Sequence, residues 1–138
     1  MVSINRKIVF ITLLGLIPFY LKSFVYYFFS KIYLNFNFLL DELSLLYGAI
    51  IVSFISGMQW QRSISSNCNR KLIIPIIPLF IVWLYELKLF NFFSEILIIF
   101  SLFLSLLIDI FIINHNLSNK YLKLRTIVTF IAIFSYFL

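Results

Sequence analysis

Long apolar runs divide this chain, and their lengths leave it little choice of environment. A helix rises about 1.5 Å per residue, so about 20 mostly apolar residues cross a hydrocarbon layer about 30 Å thick. Runs of that order occupy 8–29, 43–60, 72–89 and 92–113. The last uncharged stretch, 126–138, has 13 residues. It spans only if the helix begins near Lys120, which draws Arg125 into the membrane or its edge. The expected fold is therefore all-α: a polytopic membrane helical bundle of about five transmembrane helices at 8–29, 43–60, 72–89, 92–113 and 120–138, forming a single domain. A four-span alternative leaves the C-terminal helix lying on the surface. Pro18 and Lys22 interrupt the first run. Lys22 either snorkels to the outer interface, or the helix breaks after Pro18 and 23–40 lies partly along that surface. Tyr26, Tyr27 and Tyr33 suit an interface belt in either case.

Composition excludes the soluble alternative. The chain is 63% hydrophobic and 12% charged, with a mean hydropathy of +1.08. A soluble domain carries about a quarter of its residues as Asp, Glu, Lys or Arg. The net charge of +6 does not indicate nucleic acid, because the basic residues are dispersed and no helix is polar enough to enter a groove. It reads instead as topology. With five spans, Arg6, Lys7, Arg62, Arg70, Lys71, Lys120, Lys123 and Arg125 share one side, eight of the eleven basic residues. Lys22, Lys31 and Lys88 share the other with Asp41, Glu42, Glu86 and Glu95. Basic residues stay on the cytoplasmic side, so the N-terminus is expected inside and the C-terminus outside. Arg6 and Lys7 ahead of an apolar run resemble a signal peptide. Pro18, Tyr20 and Lys22 stand where a small-residue cleavage site would be, so an uncleaved first helix is expected. Cys68 is the sole cysteine, which excludes an internal disulfide.

Lipid provides little hydrophobic force between helices, so small residues mark close packing. In the second span Ala49, Ser53 and Gly57 recur every four residues, flanked by Gly48 and Ser56. This seam either packs inside the monomer around a tight central helix or forms a dimer contact. The fourth span carries Ser101, Ser105 and Asp109 on one stripe, with Ser94 further back; the fifth carries Tyr121, Arg125, Thr129, Ala132 and Tyr136. Such stripes face each other or the bundle interior, as interhelical glue or as a substrate path. The turn between the two spans centres near Leu117, eight residues from both Asp109 and Arg125. An antiparallel hairpin thus sets those two at equal depth. An ion pair relieves the cost of charge there, either as a staple for the hairpin or as a proton relay or substrate clamp.

Catalytic chemistry has little to stand on. His115 is the only histidine and falls in a loop, so paired-histidine haem ligation and histidine-rich metal sites are not expected. Ser56-Gly57 resembles a fragment of a serine-hydrolase motif, with no histidine in a span to activate the serine. Gly15, Gly48 and Gly57 are the only glycines, too few for a phosphate-binding loop. Neither cofactor nor metal is expected.

Several strings together carry a family resemblance: Gly15-Leu16-Ile17-Pro18-Phe19; the segment from Tyr47 through Gly48 and Gly57 to Met58-Gln59-Trp60; Pro78 with Trp83; Asp109 near a helix end; and Tyr121-Leu122-Lys123-Leu124-Arg125. In these the chain resembles the domain of unknown function 3429 family, which includes the mitochondrial transmembrane protein 69 group. A glycine commonly follows the tryptophan in that family, where this chain has Gln61. The resemblance implies a multi-pass bundle in a bacterial cytoplasmic or mitochondrial inner membrane, with no established activity. It directs attention to Gly48, Ala49, Ser53, Gly57 and Trp60 for helix packing, and to Asp109 and Arg125 as an intramembrane pair. The expected function is non-enzymatic: an accessory, assembly or interaction component whose partners are the bilayer and other membrane proteins or further copies of itself. The alternative is an oligomeric transporter or channel for a small solute or ion, using the Ser101–Ser105–Asp109 stripe.

Overall fold

The computed structural model describes residues 6–65, 72–86, 94–113 and 117–138, with main chain alone at 30–35, 65 and 85–86. Among them there are six helices and no strand: α1 (Arg6–Leu14), α2 (Ile17–Phe28), α3 (Ser30–Ser65), α4 (Ile76–Glu86), α5 (Ser94–Phe111) and α6 (Asn119–Ser135). Two of them are long and apolar enough to cross a membrane, α3 through its Phe36–Ile64 segment and α5. The bent pair α1 and α2 makes a third if counted as one span. Helix α4 has 11 residues and α6 has 17, or about 17 and 26 Å at 1.5 Å per residue. Residues 87–89 and 92–93 of the expected third and fourth spans lie outside the described residues, as do Cys68 and His115.

The first run breaks before Pro18 rather than after it, and α1 meets α2 at 46°. Proline supplies no N–H, and its ring clashes with the carbonyl four residues back, so it is tolerated only in a helix's first turn. Here it opens α2. The chain tightens through Leu16 N–H to the Leu13 carbonyl at 3.0 Å and Phe19 N–H to the Leu16 carbonyl at 3.1 Å. That leaves the Gly15 carbonyl without its regular helical donor, and the Tyr47 hydroxyl donates to it at 2.8 Å. In an apolar surrounding each freed backbone group must find such a partner.

Helix α3 is central, packing against α2, α4 and α5; α5 also meets α6, and α6 meets α1 and α2. It starts earlier and ends later than the 43–60 expected from its apolar run. Residues 35–42 lie between the first two expected spans, yet Leu40, Ser44 and Gly48 already follow one helical face. Lys22 sits within α2 without breaking it, and its Nζ lies 2.8 Å from Asp41 Oδ1 on α3. Tyr26 and Tyr27 are exposed, consistent with a belt position.

Two apolar clusters hold the helices together. In one, Ala49 and Val52 of α3 meet Val82, Ile98 and Leu102. In the other, Leu16 and Phe19 pack on Ala132, ringed by Tyr20, Tyr47 and Tyr136. Phe19 stands edge-on to Tyr47 and Tyr136, with centroids 5.0 and 5.9 Å apart. Tyr20 donates to the Ile131 carbonyl at 2.8 Å and Tyr136 to the Ser44 carbonyl at 3.2 Å. Each half-buried phenol thus fastens one helix to another.

The inner face of α3 takes in only part of the expected seam. Ala49, Val52, Ser56, Gln59 and Ser63 are buried, in alternating steps of three and four. Gly48 is buried as well, while Ser53 is half-buried, donating to its own helix at the Ala49 carbonyl. Gly57 is exposed with nothing within 4 Å of where a Cβ would stand, and Trp60 also faces outward. Four residues turn a helix about 40° beyond a full revolution. A stripe read in fours therefore drifts around the helix, and the one that starts at Ala49 has left the packed face by Gly57. Gly57→Leu is accordingly expected to leave thermal stability in detergent within about 0.5 kcal/mol of the parent. A clear loss would place a neighbouring helix against Gly57.

Candidate functional site

The most polar part of the interior lies where α3 ends, α5 ends and α6 begins. Ser118 caps α6, accepting from the Tyr121 N–H at 3.2 Å, and this fixes the rotation that turns Tyr121, Arg125 and Thr129 inward. Asp109 of α5 is fully buried. Its Oδ2 accepts from Arg125 Nε at 3.3 Å, and its Oδ1 lies 3.7 Å from Arg62 Nη1. One carboxylate thus stands between two guanidiniums. Hairpin geometry brings the α6 partner; the α3 partner arrives because α3 continues past Trp60 to Ser65.

Around this core hydrogen bonds link α3, α5 and α6, although Gln59 Oε1 is buried with no hydrogen-bond partner. Arg125 Nη2 donates to the Ser105 hydroxyl at 3.0 Å, which donates onward to the Leu102 carbonyl at 2.9 Å. Gln59 is fully buried and donates from Nε2 to the Ser105 carbonyl at 2.7 Å. Ser63 closes the set by donating to the Gln59 carbonyl at 2.9 Å. The Arg62 guanidinium lies over the Tyr121 ring, 5.1 Å from its centroid, within cation–π range. Ser101 donates to its own helix at the Leu97 carbonyl, 2.7 Å away.

The structure therefore gathers Ser105, Asp109, Tyr121 and Arg125 into one network. It sets Ser101 and Ala132 deeper along the same interface and leaves Gly57 and Trp60 outside. Arg62, Gln59 and Ser63 are the members that sequence reasoning missed. Their signal was the polar recurrence Ser56, Gln59, Ser63 at helical spacing beyond the expected end of the span.

A cavity of about 440 Å³ adjoins this network, between α1, α3 and α6. Its size falls within the roughly 300–1,000 Å³ of small-molecule sites. Its walls are apolar, with Ile11, Phe54, Met58, Leu124 and Val128 among them, and Arg62, Tyr121 and Arg125 stand at one end. Among the described residues no three His, Cys, Asp or Glu side chains gather as a metal site.

No curated protein and no solved structure matches the chain. One family model does, over residues 4–138, nearly the whole length. With these helices and this network in view, the chain belongs to the family described as protein of unknown function (DUF3429).

Proposed function

We propose that this protein is a five-span bundle of a bacterial cytoplasmic or mitochondrial inner membrane, N-terminus inside and C-terminus outside, acting as a non-enzymatic accessory or assembly component beside other membrane proteins. In this reading α1 with α2, α3, α4, α5 and α6 each cross once, the shorter two completed by flanking residues. The observation that carries it is the state of the polar stripe. Ser101, Ser105 and Asp109 are fully buried, and their side chains bond to neighbouring helices or to their own backbone. A transport path along this stripe needs water beside those groups, and the cavity next to them has apolar walls. Outward-facing Phe54, Trp60, Phe80, Phe111 and Phe130 present a bulky apolar exterior to lipid or a neighbouring helix.

Cysteine labelling tests both halves of this reading. In a Cys68→Ser background, Leu138→Cys is expected to react with a membrane-impermeant thiol reagent only from the outer side. Ser101→Cys is expected to stay unlabelled in intact membranes. Labelling of Leu138→Cys from the inside overturns the topology. Rapid labelling of Ser101→Cys makes the stripe a water path and transport the better reading.

A further inference from the structure

The network and the cavity beside it differ in chemistry in a way that specifies a ligand. The network holds two guanidiniums, Arg62 and Arg125, and one carboxylate, Asp109. Of the other four carboxylates, Glu86 and Glu95 sit at the opposite ends of their helices, and Asp41 and Glu42 lie in the far half of α3, so this end carries a net positive charge. Beyond the guanidiniums the cavity lining is mainly apolar and includes Phe19 and Ala132 of the core. Ile8, Ile11 and Phe54 on its wall are exposed on the outer surface, so the space communicates sideways with whatever surrounds the bundle. Thr129 lines the cavity at 1% exposure, and its hydroxyl is one of several buried polar groups with no hydrogen-bond partner.

We propose that this cavity takes up one acyl chain of an anionic phospholipid, whose phosphate rests against Arg62 and Arg125. The inference rests on the membrane reading above. The cationic end is the end that carries Arg6 and Lys7, which faces the cytoplasmic leaflet in the proposed topology. Anionic headgroups engage basic pockets between helices on that side, and guanidinium matches phosphate with paired, charge-assisted hydrogen bonds. An apolar space of this size beside lipid fills with hydrocarbon rather than water. Helix α1, set at 46° to α2, forms one wall of the space through Ile8, Ile11 and Thr12. A free phosphate ion satisfies the guanidiniums and leaves the apolar length empty. A fatty acid fills the length with a carboxylate in place of phosphate.

The test uses the full chain purified in mild detergent and read by native mass spectrometry. Phosphatidylglycerol and phosphatidylcholine with identical acyl chains, oleate and inorganic phosphate are offered in separate samples. One phosphatidylglycerol per chain is expected to be retained, at least about tenfold more tightly than phosphatidylcholine, the scale of a charge-assisted contact. Arg62→Gln is expected to abolish that preference and Arg62→Lys to restore part of it. Met58→Trp fills the cavity without altering charge and is expected to release the lipid, so the proposal does not hang on one variant's folding. Equal retention of the two phospholipids, preference for oleate, the same stabilisation by inorganic phosphate alone, or undiminished retention in Met58→Trp each overturns it. Failure of the membrane reading shows separately, as loss of the chain from the membrane fraction.

Discussion

Asp109→Asn is expected to cost the bundle about 3–5 kcal/mol, the range for removing one side of a buried ion pair. The reason lies in the asymmetry of the network. Arg125 holds one carboxylate oxygen at 3.3 Å and Arg62 approaches the other at 3.7 Å, so neutralising Asp109 removes the only anion between two cations. Their side chains are 11% and 29% exposed, and Arg125 in particular has little water to turn to. Arg125→Gln is expected to cost less, because Arg62 still faces the carboxylate and Gln can donate to the Ser105 hydroxyl. The double variant, Asp109→Asn with Arg125→Gln, is expected to be more stable than the sum of the two losses predicts, by about 0.5–3 kcal/mol, the usual coupling between groups in one network. Thermal denaturation in detergent provides all four corners of the cycle. Additive losses mean the groups act independently, and Arg125 then serves as an ordinary interfacial cation.

The sequence made the depth of that pair legible and hid its third member. Antiparallel helices joined by a short turn hold residues equidistant from the turn at one level, so counting eight residues each way from Leu117 was enough for Asp109 and Arg125. Arg62 was hidden because the end of a hydrophobic run is not the end of a helix. After Gly57 no glycine or proline occurs until Pro75, and α3 continues through Gln61 and Arg62 to Ser65. The same rule explains its early start. Asp41 and Glu42 are polar, yet they extend the helix instead of ending it, with Asp41 meeting Lys22. The break at Gly15–Leu16 was one turn away from where it was expected. Proline disrupts bonding to the residues before it, so the fault in a helix precedes the proline that causes it. Polarity along the chain marks which residues seek water or a partner; backbone hydrogen bonding decides where helices stop. Which of the small residues of α3 lie inside could not be read from recurrence in fours, since Gly48 and Gly57 look alike in the sequence and face opposite ways in the fold.

That difference gives the second large effect. Gly48→Ala is expected to destabilise the protein by about 1–3 kcal/mol, the range for overpacking a filled interior, although alanine is the better helix former by about 1 kcal/mol. A Cβ at Gly48 runs into the Tyr136 hydroxyl and lies 2.8 Å from Ile98 Cγ2. Neither neighbour yields easily. Ile98 is fully buried in the α3–α5 core, and the Tyr136 hydroxyl donates to the Ser44 carbonyl one turn earlier on α3. Gly48 therefore allows α6 and α5 to close on α3 at the same level. Gly48→Leu adds three more carbons to that crowded point and is expected to lose more stability than the alanine variant. The hydroxyl's share can be isolated. Tyr136→Phe alone is expected to cost about 1 kcal/mol, the net worth of a typical hydrogen bond. In the Gly48→Ala background the same change removes the nearest clashing atom and is expected to be neutral or to restore stability. At the exposed Gly57 nothing opposes alanine's helix preference, so Gly57→Ala is expected to be neutral or stabilising. Melting curves of these variants in one detergent decide the matter: if Gly48→Ala melts with the parent, or Tyr136→Phe costs the same in both backgrounds, the three helices do not converge at Gly48.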